Sequence, residues 1–424
     1  MIADSMPKPS LPDDTRRNVS WLAVCQALYM CVTTLAVSTT PLAGHALLEV
    51  DKAMATLPLM LYHVGIMIMT VPASLLMARI GRRAGFSLGA VIGVGSGGLS
   101  AAAIFQQDFL WLCAGLMLMG CSAAFAIYYR FAAADTVDAA FRPKAISLVM
   151  AGGVFAGFLG PQTAKYVVDW FEPVTFAGVY VMVIVYSALL LLFIQGLRIP
   201  GLTAQERKSS GRPMRLIVRQ PAYLVAVISS MFGYGVMALV MSATPLAMLA
   251  CGFDFNSSAT VIQAHVIAMF LPSFFTGYLI GRFGALLIIA CGVLMQGVCA
   301  LVNAAGLEFM NFFIANVLVG LGWNFTYIGG SSLLTQTYQP SERAKVQASH
   351  DFMVFAMTAS AAGLSGLLQA KVGWSILNLT VLPVALAMVL ASLWLIRYQA
   401  GQTEAGIFER HEARETPSYG RPPS

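Results

Sequence analysis

What most constrains this chain is a succession of twelve continuous apolar runs, over 19–41, 54–78, 85–105, 109–132, 145–166, 174–197, 221–249, 258–280, 285–305, 309–334, 346–370 and 374–397. The hydrocarbon core of a bilayer is about 30 Å thick and a helix rises about 1.5 Å per residue, so about 20 apolar residues make one crossing. A membrane β-strand instead needs only about ten residues, alternately apolar and polar, a pattern absent from these runs. Only 10% of the chain is charged and 58% is hydrophobic, against roughly 25% charged in soluble proteins, which excludes a soluble enzyme. The fold class is an all-α polytopic membrane protein with twelve transmembrane helices. Asp4, Asp13 and Asp14 stand beside Lys8, Arg16 and Arg17 in the first twenty residues; this is not the cationic start of a cleaved signal, so the first run stays as a span.

Charge gives the orientation. With both tails cytoplasmic, 21 of the 25 Lys and Arg fall in cytoplasmic segments, while the opposite side holds Lys52, Lys165 and Lys371. That is the positive-inside bias, and the net charge of +6 calls for no nucleic-acid partner. The one long polar stretch between spans, 198–220, carries Glu206, Arg207, Lys208, Gly211 and Pro213. The chain therefore divides into a cytoplasmic tail at 1–18, a six-helix bundle at 19–197, a cytoplasmic linker at 198–220, a second six-helix bundle at 221–397 and a cytoplasmic tail at 398–424.

The two halves repeat. Ser38-Thr39-Thr40-Pro41-Leu42-Ala43 corresponds to Ser242-Ala243-Thr244-Pro245-Leu246-Ala247 at an offset of 204, with five of six positions identical. Arg79-Ile80-Gly81 corresponds to Arg282-Phe283-Gly284, and Phe141-Arg142-Pro143-Lys144 to Glu342-Arg343-Ala344-Lys345. Six helices per half keep both copies in one orientation, related by a pseudo-two-fold axis along the membrane normal, an arrangement used by alternating-access carriers.

The segment Ser74-Leu75-Leu76-Met77-Ala78-Arg79-Ile80-Gly81-Arg82-Arg83 is similar to the G-x-L-a-D-R-x-G-R-R motif of the major facilitator superfamily and matches its Arg-x-Gly-Arg-Arg end. Ser74 replaces the motif's glycine and Ala78 its aspartate. With the six-plus-six layout and the central linker, the resemblance covers about 18–398. A narrower resemblance, to bacterial permeases that include riboflavin importers, rests on Thr70-Val71-Pro72-Ala73-Ser74, Tyr128-Tyr129-Arg130-Phe131-Ala132-Ala133-Ala134-Asp135 and the fifth run. That run holds Gly157-Phe158-Leu159-Gly160-Pro161, similar to a motif of the superfamily's proton-driven exporters, although Ala164-Lys165 follows where those carry paired glycines. The resemblance implies a secondary transporter of the bacterial inner membrane, working as a monomer on a small organic solute. Import, of a vitamin such as riboflavin, is the favoured direction; proton-coupled export of drugs or metabolites is the alternative.

In that family the first, fourth, seventh and tenth helices line the central cavity. Residues three or four apart share a helix face, which selects Gln26, Tyr29 and Thr33, then Tyr129, then Ser230 and Tyr234, then Asn316, Asn324 and Tyr327 with Trp323 adjacent. Amides, hydroxyls and rings suit a neutral or weakly charged planar solute. Ionisable groups inside apolar spans are costly and mark function. His63 and His265 sit at similar depths in the two halves, offset by 202, and histidine titrates near neutral pH, so protons are a candidate coupling ion; a neutral imidazole bonded to a nearby carbonyl is the competing account. The resemblance makes Arg79, Arg82 and Arg83 gating candidates together with Asp135, and it brings Arg130 of the fourth helix towards Asp351 of the eleventh when the cytoplasmic side is closed. Gly93-Val94-Gly95-Ser96-Gly97-Gly98 satisfies a dinucleotide pattern but lies inside an apolar run with no preceding strand, which leaves helix packing. No phosphate-binding loop, zinc-protease or serine-nucleophile motif occurs in the sequence, so no cofactor is called for and the chain is not read as an enzyme.

Overall fold

The computed structural model describes residues 13–48, 54, 57–199, 211–253 and 255–397. Residues 1–12, 200–210 and 398–424, which hold most of the two tails and part of the linker, lie outside the described residues. The elements are α1 (Asp13–Leu47), α2 (Leu57–Ile80), α3 (Arg82–Phe105), α4 (Phe109–Ala134), α5 (Ala139–Val167), α6 (Ala177–Ile194), α7 (Pro221–Ala250), α8 (Phe255–Phe270 with Ser273–Phe283), α9 (Ala285–Ala305) and α10 (Phe309–Leu334). The stretch Arg343–Leu379 turns at Gly373, whose φ is 78°, a conformation that only glycine adopts without a Cβ clash. We take α11 as 343–372 and α12 as 374–397. Among the described residues ten helices are long and apolar enough to cross a bilayer, and the bent α8 makes eleven; the remaining one, α11, begins with Arg343 and Lys345.

Helix ends and breaks depart from the apolar runs for physical reasons. Helix α1 starts at 13 and ends at 47 rather than spanning 19–41, because a helix need not stop where the hydrocarbon does. Helix α8 bends by 41° between its two pieces, at Pro272, which lacks an amide N–H. Helix α5 is interrupted at Gly152, where a Cβ would lie 2.1 Å from the Ala23 carbonyl oxygen of α1. Helix α4 loses regularity at Ile127 and Tyr128 and resumes over Tyr129–Ala134.

The helices form two bundles of six. In the first, α1 packs on α5 and α6, α2 on α4, and α3 on α4 and α6; in the second, α7 packs on α10 and α11, and α8 and α9 both on α10. The bundles meet along two seams, α2 against α11 and α5 against α8. In lipid, where helices gain no hydrophobic drive to associate, small residues allow the close approach. A Cβ on Gly120 would lie 2.0 Å from the Tyr62 carbonyl oxygen, and one on Gly65 2.2 Å from that of Met117, so α2 and α4 touch backbone to backbone. The face carrying Gly89, Gly93 and Gly97 likewise seats Phe125, Ser122 and Ile184, the packing use of the glycine pattern in α3.

The described end of the linker is tied to the second bundle. Glu342, wholly buried before α11, accepts from Arg212 N (2.6 Å), Nε (2.9 Å) and Nη2 (2.7 Å) and from Gln339 N (3.0 Å). Lys345 Nζ meets the Arg212 carbonyl at 2.5 Å. Hydrogen bonds from the Arg212 guanidinium, helped by the two backbone N–H groups, outweigh burial and hold the Glu342 carboxyl down at about 2, from an ordinary 4.5.

Two outcomes follow from this packing. Gly120→Ala should lower stability by about 1–3 kcal/mol, the usual cost of overpacking, read as a lower melting temperature in detergent. A carboxyl with a depressed folded-state pKa stabilises above its unfolded value and loses that contribution as pH falls through the folded one. The stability difference between wild type and Glu342→Gln should therefore be constant above pH 5 and shrink between about 4.5 and 2. Its size should be about 1–2 kcal/mol, at the low end for charge-assisted bonds because the Arg212 side chain is 39% exposed and water screens it. A difference that persists at pH 2 would contradict the assignment.

Candidate functional site

Two layers of side chains lie where the two bundles face each other. The first joins the bundles at the end where α4 finishes and α11 begins. Arg130, in the resumed piece of α4, is 2% exposed. Its Nη1 donates to Ile127 O (2.5 Å), its Nε to Ser331 Oγ on α10 (3.1 Å) and its Nη2 to Asp351 Oδ1 on α11 (2.5 Å). Phe131 and Tyr327 lie under the guanidinium, with centroids at 4.3 and 4.5 Å, within cation–π range. Asp351 Oδ1 also meets His350 Nδ1 at 2.7 Å, while Asp351 Oδ2 and His350 Nε2 are buried without a partner.

A second set of bonds flanks this pair. Arg82 donates to Asp135 Oδ2 (2.9 Å) and across the seam to Gln347 Oε1 (2.7 Å), and lies over the Tyr128 ring. Arg343 reaches Asp135 Oδ2 at 3.4 Å, Ser74 donates to Ala344 O (2.9 Å), and Arg142 to Thr335 O (3.1 Å). Between α5 and α8, Ser147 Oγ donates to Ser273 O and accepts from Gly277 N at 2.9 Å. All these links lie at one end of the bundles.

The second layer is aromatic. Half-buried Tyr234 of α7 makes edge contacts with Trp323 (5.4 Å between centroids) and Tyr327 (5.1 Å) and a tilted one with Phe355 (5.3 Å). Trp323 and Tyr327, four residues apart and so on one face of α10, stack at 5.1 Å, and Phe270 meets Trp323 edge-on at 5.4 Å. From the first bundle come Tyr29 and Thr33 of α1 and Tyr62 of α2. Thr33 Oγ1 and Tyr62 Oη lie 3.2 Å apart, and Tyr29 is within electrostatic reach of Tyr62, Tyr234 and Arg130. Tyr327 therefore belongs to both layers.

The residues singled out by sequence divide accordingly. Tyr29, Thr33, Tyr234, Trp323 and Tyr327 come together, with Gln26 buried one turn from Tyr29. Tyr129 instead packs edge-on against Phe86 of α3 (4.7 Å), and Ser230 abuts Gly330 of α10. Asn324 turns to α8, donating to Met269 O and Ser273 Oγ (both 2.6 Å) and accepting from Thr276 Oγ1 (2.7 Å). Asn316 donates to Thr244 Oγ1 (3.2 Å) and Phe312 O (2.9 Å). His265 bonds through Nδ1 to Asn316 O (2.9 Å), and His63 to Leu59 O of its own helix (3.0 Å). Arg130, Asp351, Arg82 and Asp135 form the polar seam; Arg83 reaches Gln195 (3.1 Å), and Arg79 is exposed. Sequence reasoning missed Tyr62, Phe355, Gln347 and Arg343. Only Gln347, one helical turn before Asp351, carried a signal. Among the described residues no cluster of His, Cys, Asp or Glu could hold a metal ion.

This arrangement has known counterparts. The sequence matches the Major Facilitator Superfamily over residues 22–302 and 231–419. It is 36% identical to the riboflavin transporter RfnT of Brucella anthropi over 382 residues, covering 90% of this chain and 96% of that one. Among solved structures, the Major Facilitator Superfamily transporter FucP in its outward conformation superposes with a TM-score of 0.71 at 15% identity, covering 89% of this chain and 98% of that one. The human organic anion transporter MFSD10 does so with 0.71 at 12% identity, over 90% and 100%. Apolar spans, duplicated bundles and family match agree: the chain belongs to the Major Facilitator Superfamily and is a membrane transporter of a small-molecule substrate.

Proposed function

We propose that this transporter imports a flat heteroaromatic solute of the riboflavin class across the bacterial inner membrane by alternating access, as a monomer with both tails in the cytoplasm. The observation that carries the reading is the aromatic box of Tyr234, Trp323, Tyr327 and Phe355, faced by Tyr29 and Tyr62. Ring faces and edges attract a planar π-system and give an aliphatic or multiply charged solute little. The relationship to RfnT supports an isoalloxazine as the ring. Export draws its support from the Gly-Pro segment of α5, where a Cβ on Gly160 would lie 2.0 Å from Thr34 Oγ1; tight packing of α5 on α1 accounts for that glycine without reference to direction. Uptake of radiolabelled riboflavin by cells that neither make nor otherwise import it tests the reading. Accumulation above the empty-vector control is expected, and its absence in a well-expressed protein would refute it.

In this reading the polar seam, whose bonds bridge the two bundles, is the cytoplasmic gate in its closed form. The buried Arg130–Asp351 pair exists only while the bundles meet, so it biases the two-state equilibrium by its differential stability. Alone, Arg130→Asp and Asp351→Arg should each abolish uptake and raise cytoplasmic labelling of cysteines placed in the aromatic layer; the double exchange should restore part of both. A double variant no better than the worse single one would exclude this gate. For the binding layer, an aromatic contact is worth about 0.5–1.5 kcal/mol beyond burial. Tyr234→Ala and Tyr327→Ala should each weaken riboflavin binding about 2- to 13-fold, measured by quenching of the ligand's fluorescence. Unchanged affinity in both would remove the aromatic layer as the site.

A further inference from the structure

The geometry points to His350 as the residue that carries the coupling proton, competing in its charged form with Arg130 for one oxygen of Asp351. The inference extends the transport reading above, but its first test needs no substrate.

The protonation states follow from the contacts. Asp351 faces the Arg130 guanidinium at 2.5 Å, so it is a carboxylate and can only accept. Its neighbour at 2.7 Å, His350 Nδ1, must therefore be the donor. In a neutral ring the proton on Nδ1 leaves Nε2 as a bare lone pair, and Nε2 is buried without a donor. Both donors converge on Oδ1, and Oδ2 has none. The triad of Arg130, Asp351 and His350 is thus electrically neutral, with two vacant lone-pair positions, His350 Nε2 and Asp351 Oδ2, and an imidazole nitrogen is ordinarily the more basic of the two.

A proton passed from hydronium to Nε2 breaks one O–H bond of the hydronium, leaves water behind and keeps every hydrogen bond of the triad. The Nδ1–H stays on Asp351, the ring becomes an imidazolium, and the triad carries a net positive charge. Two effects then act in the same direction. Imidazolium and guanidinium repel each other across a shared oxygen, and a net charge in a dry seam is far costlier than a neutral set. Both are relieved when α4 and α11 separate and water enters. Protonation therefore favours the state in which this end is open; loss of the proton to water on that side allows the seam to close again.

The surroundings contain no better candidate. On α11, Gln347 is neutral and is engaged by Arg82 and Tyr338. Helix α4 contributes Tyr128, Arg130 and Phe131, whose ring stands roughly perpendicular to the imidazole with centroids 6.3 Å apart. Helix α10 contributes Tyr327 and Ser331, and α3 contributes Arg82, paired with Asp135, which Arg343 also reaches. Helix α7 brings Tyr234 and Tyr223, the latter bonded to Ser349. Along α2 the ionisable residues are Tyr62, bonded to Thr33, His63, bonded to Leu59 O, and Arg79, which is exposed. Of these groups only His350 combines a free lone pair with a direct bond to the carboxylate that holds the bundles together.

The test is a pH series on the full chain in proteoliposomes. Ser74→Cys, placed in the seam, is labelled with N-ethylmaleimide in a background where the exposed Cys251 is replaced (Cys251→Ser), and rates are normalised at each pH to the denatured chain. Labelling should rise several-fold from pH 8 to pH 5. His350→Asn and His350→Gln keep an amide donor for Asp351 but cannot take a proton, and both should be flat over that range. A flat wild type, or variants that respond as the wild type does, would overturn the inference. In the same vesicles a trapped pH dye should record inward proton flow when riboflavin is added outside, with no flow in the His350 variants. Riboflavin uptake without proton flow would overturn the inference and leave the substrate reading standing. If riboflavin is not taken up, the substrate reading fails, and the labelling series alone decides.

Discussion

The structure depends on a buried cation that neither half can accommodate alone. Removing a guanidinium from water costs several kcal/mol even after relaxation, and only well-placed partners offset it. Arg130 finds one of its three hydrogen-bond partners, the Ile127 carbonyl, in its own bundle and the others, Ser331 and Asp351, in the second. Each bundle leaves its side of this arrangement unsatisfied, so the seam closes by electrostatic necessity. An apolar seam would hold more firmly, but with nothing to switch it. Tyr327 extends the effect, since one residue borders both the guanidinium and the aromatic box. Under the binding mode proposed above, a solute against that ring would be felt at the ion pair without any long relay.

The duplication helps explain why the cation sits where it does. Arg130 and Ser331 are 201 residues apart, the offset at which Phe141–Lys144 repeats as Glu342–Lys345. The side chain therefore touches its own counterpart in the second copy, as expected of positions near a pseudo-two-fold axis. A symmetric pair of arginines there would repel. The sequence breaks its symmetry at this point, with a serine in the second copy and the acid on a different helix.

The spans were legible because the bilayer imposes a length: 309–334 corresponds to α10 from end to end. Helix breaks were less so, since the approach of Gly152 to α1 depends on a neighbour far away in sequence. Within the site, Arg130 and Asp351 stood out because charges in apolar spans are rare. The aromatic layer was half visible. Trp323 and Tyr327 share a face, whereas Asn324, one residue on and so about 100° around the helix, turns to α8. Periodicity groups residues by face but does not reveal which face meets the partner. Tyr62 and Phe355 were hidden for a simpler reason, because an aromatic residue in an apolar run looks like lipid-facing bulk until the neighbouring helices are placed against it.

Both ends of the inter-bundle linker are secured to the bundle they adjoin. Asn18 and Arg198 exchange two hydrogen bonds in the first, and Arg212 is clamped by Glu342 in the second. The covalent connection between them is then not what sets the register of the bundles; the seams α2 with α11 and α5 with α8 do that. Such a chain is suited to being made as two polypeptides, divided within 200–210 and reassembled in the membrane, with the linker serving to keep the two products in equal number.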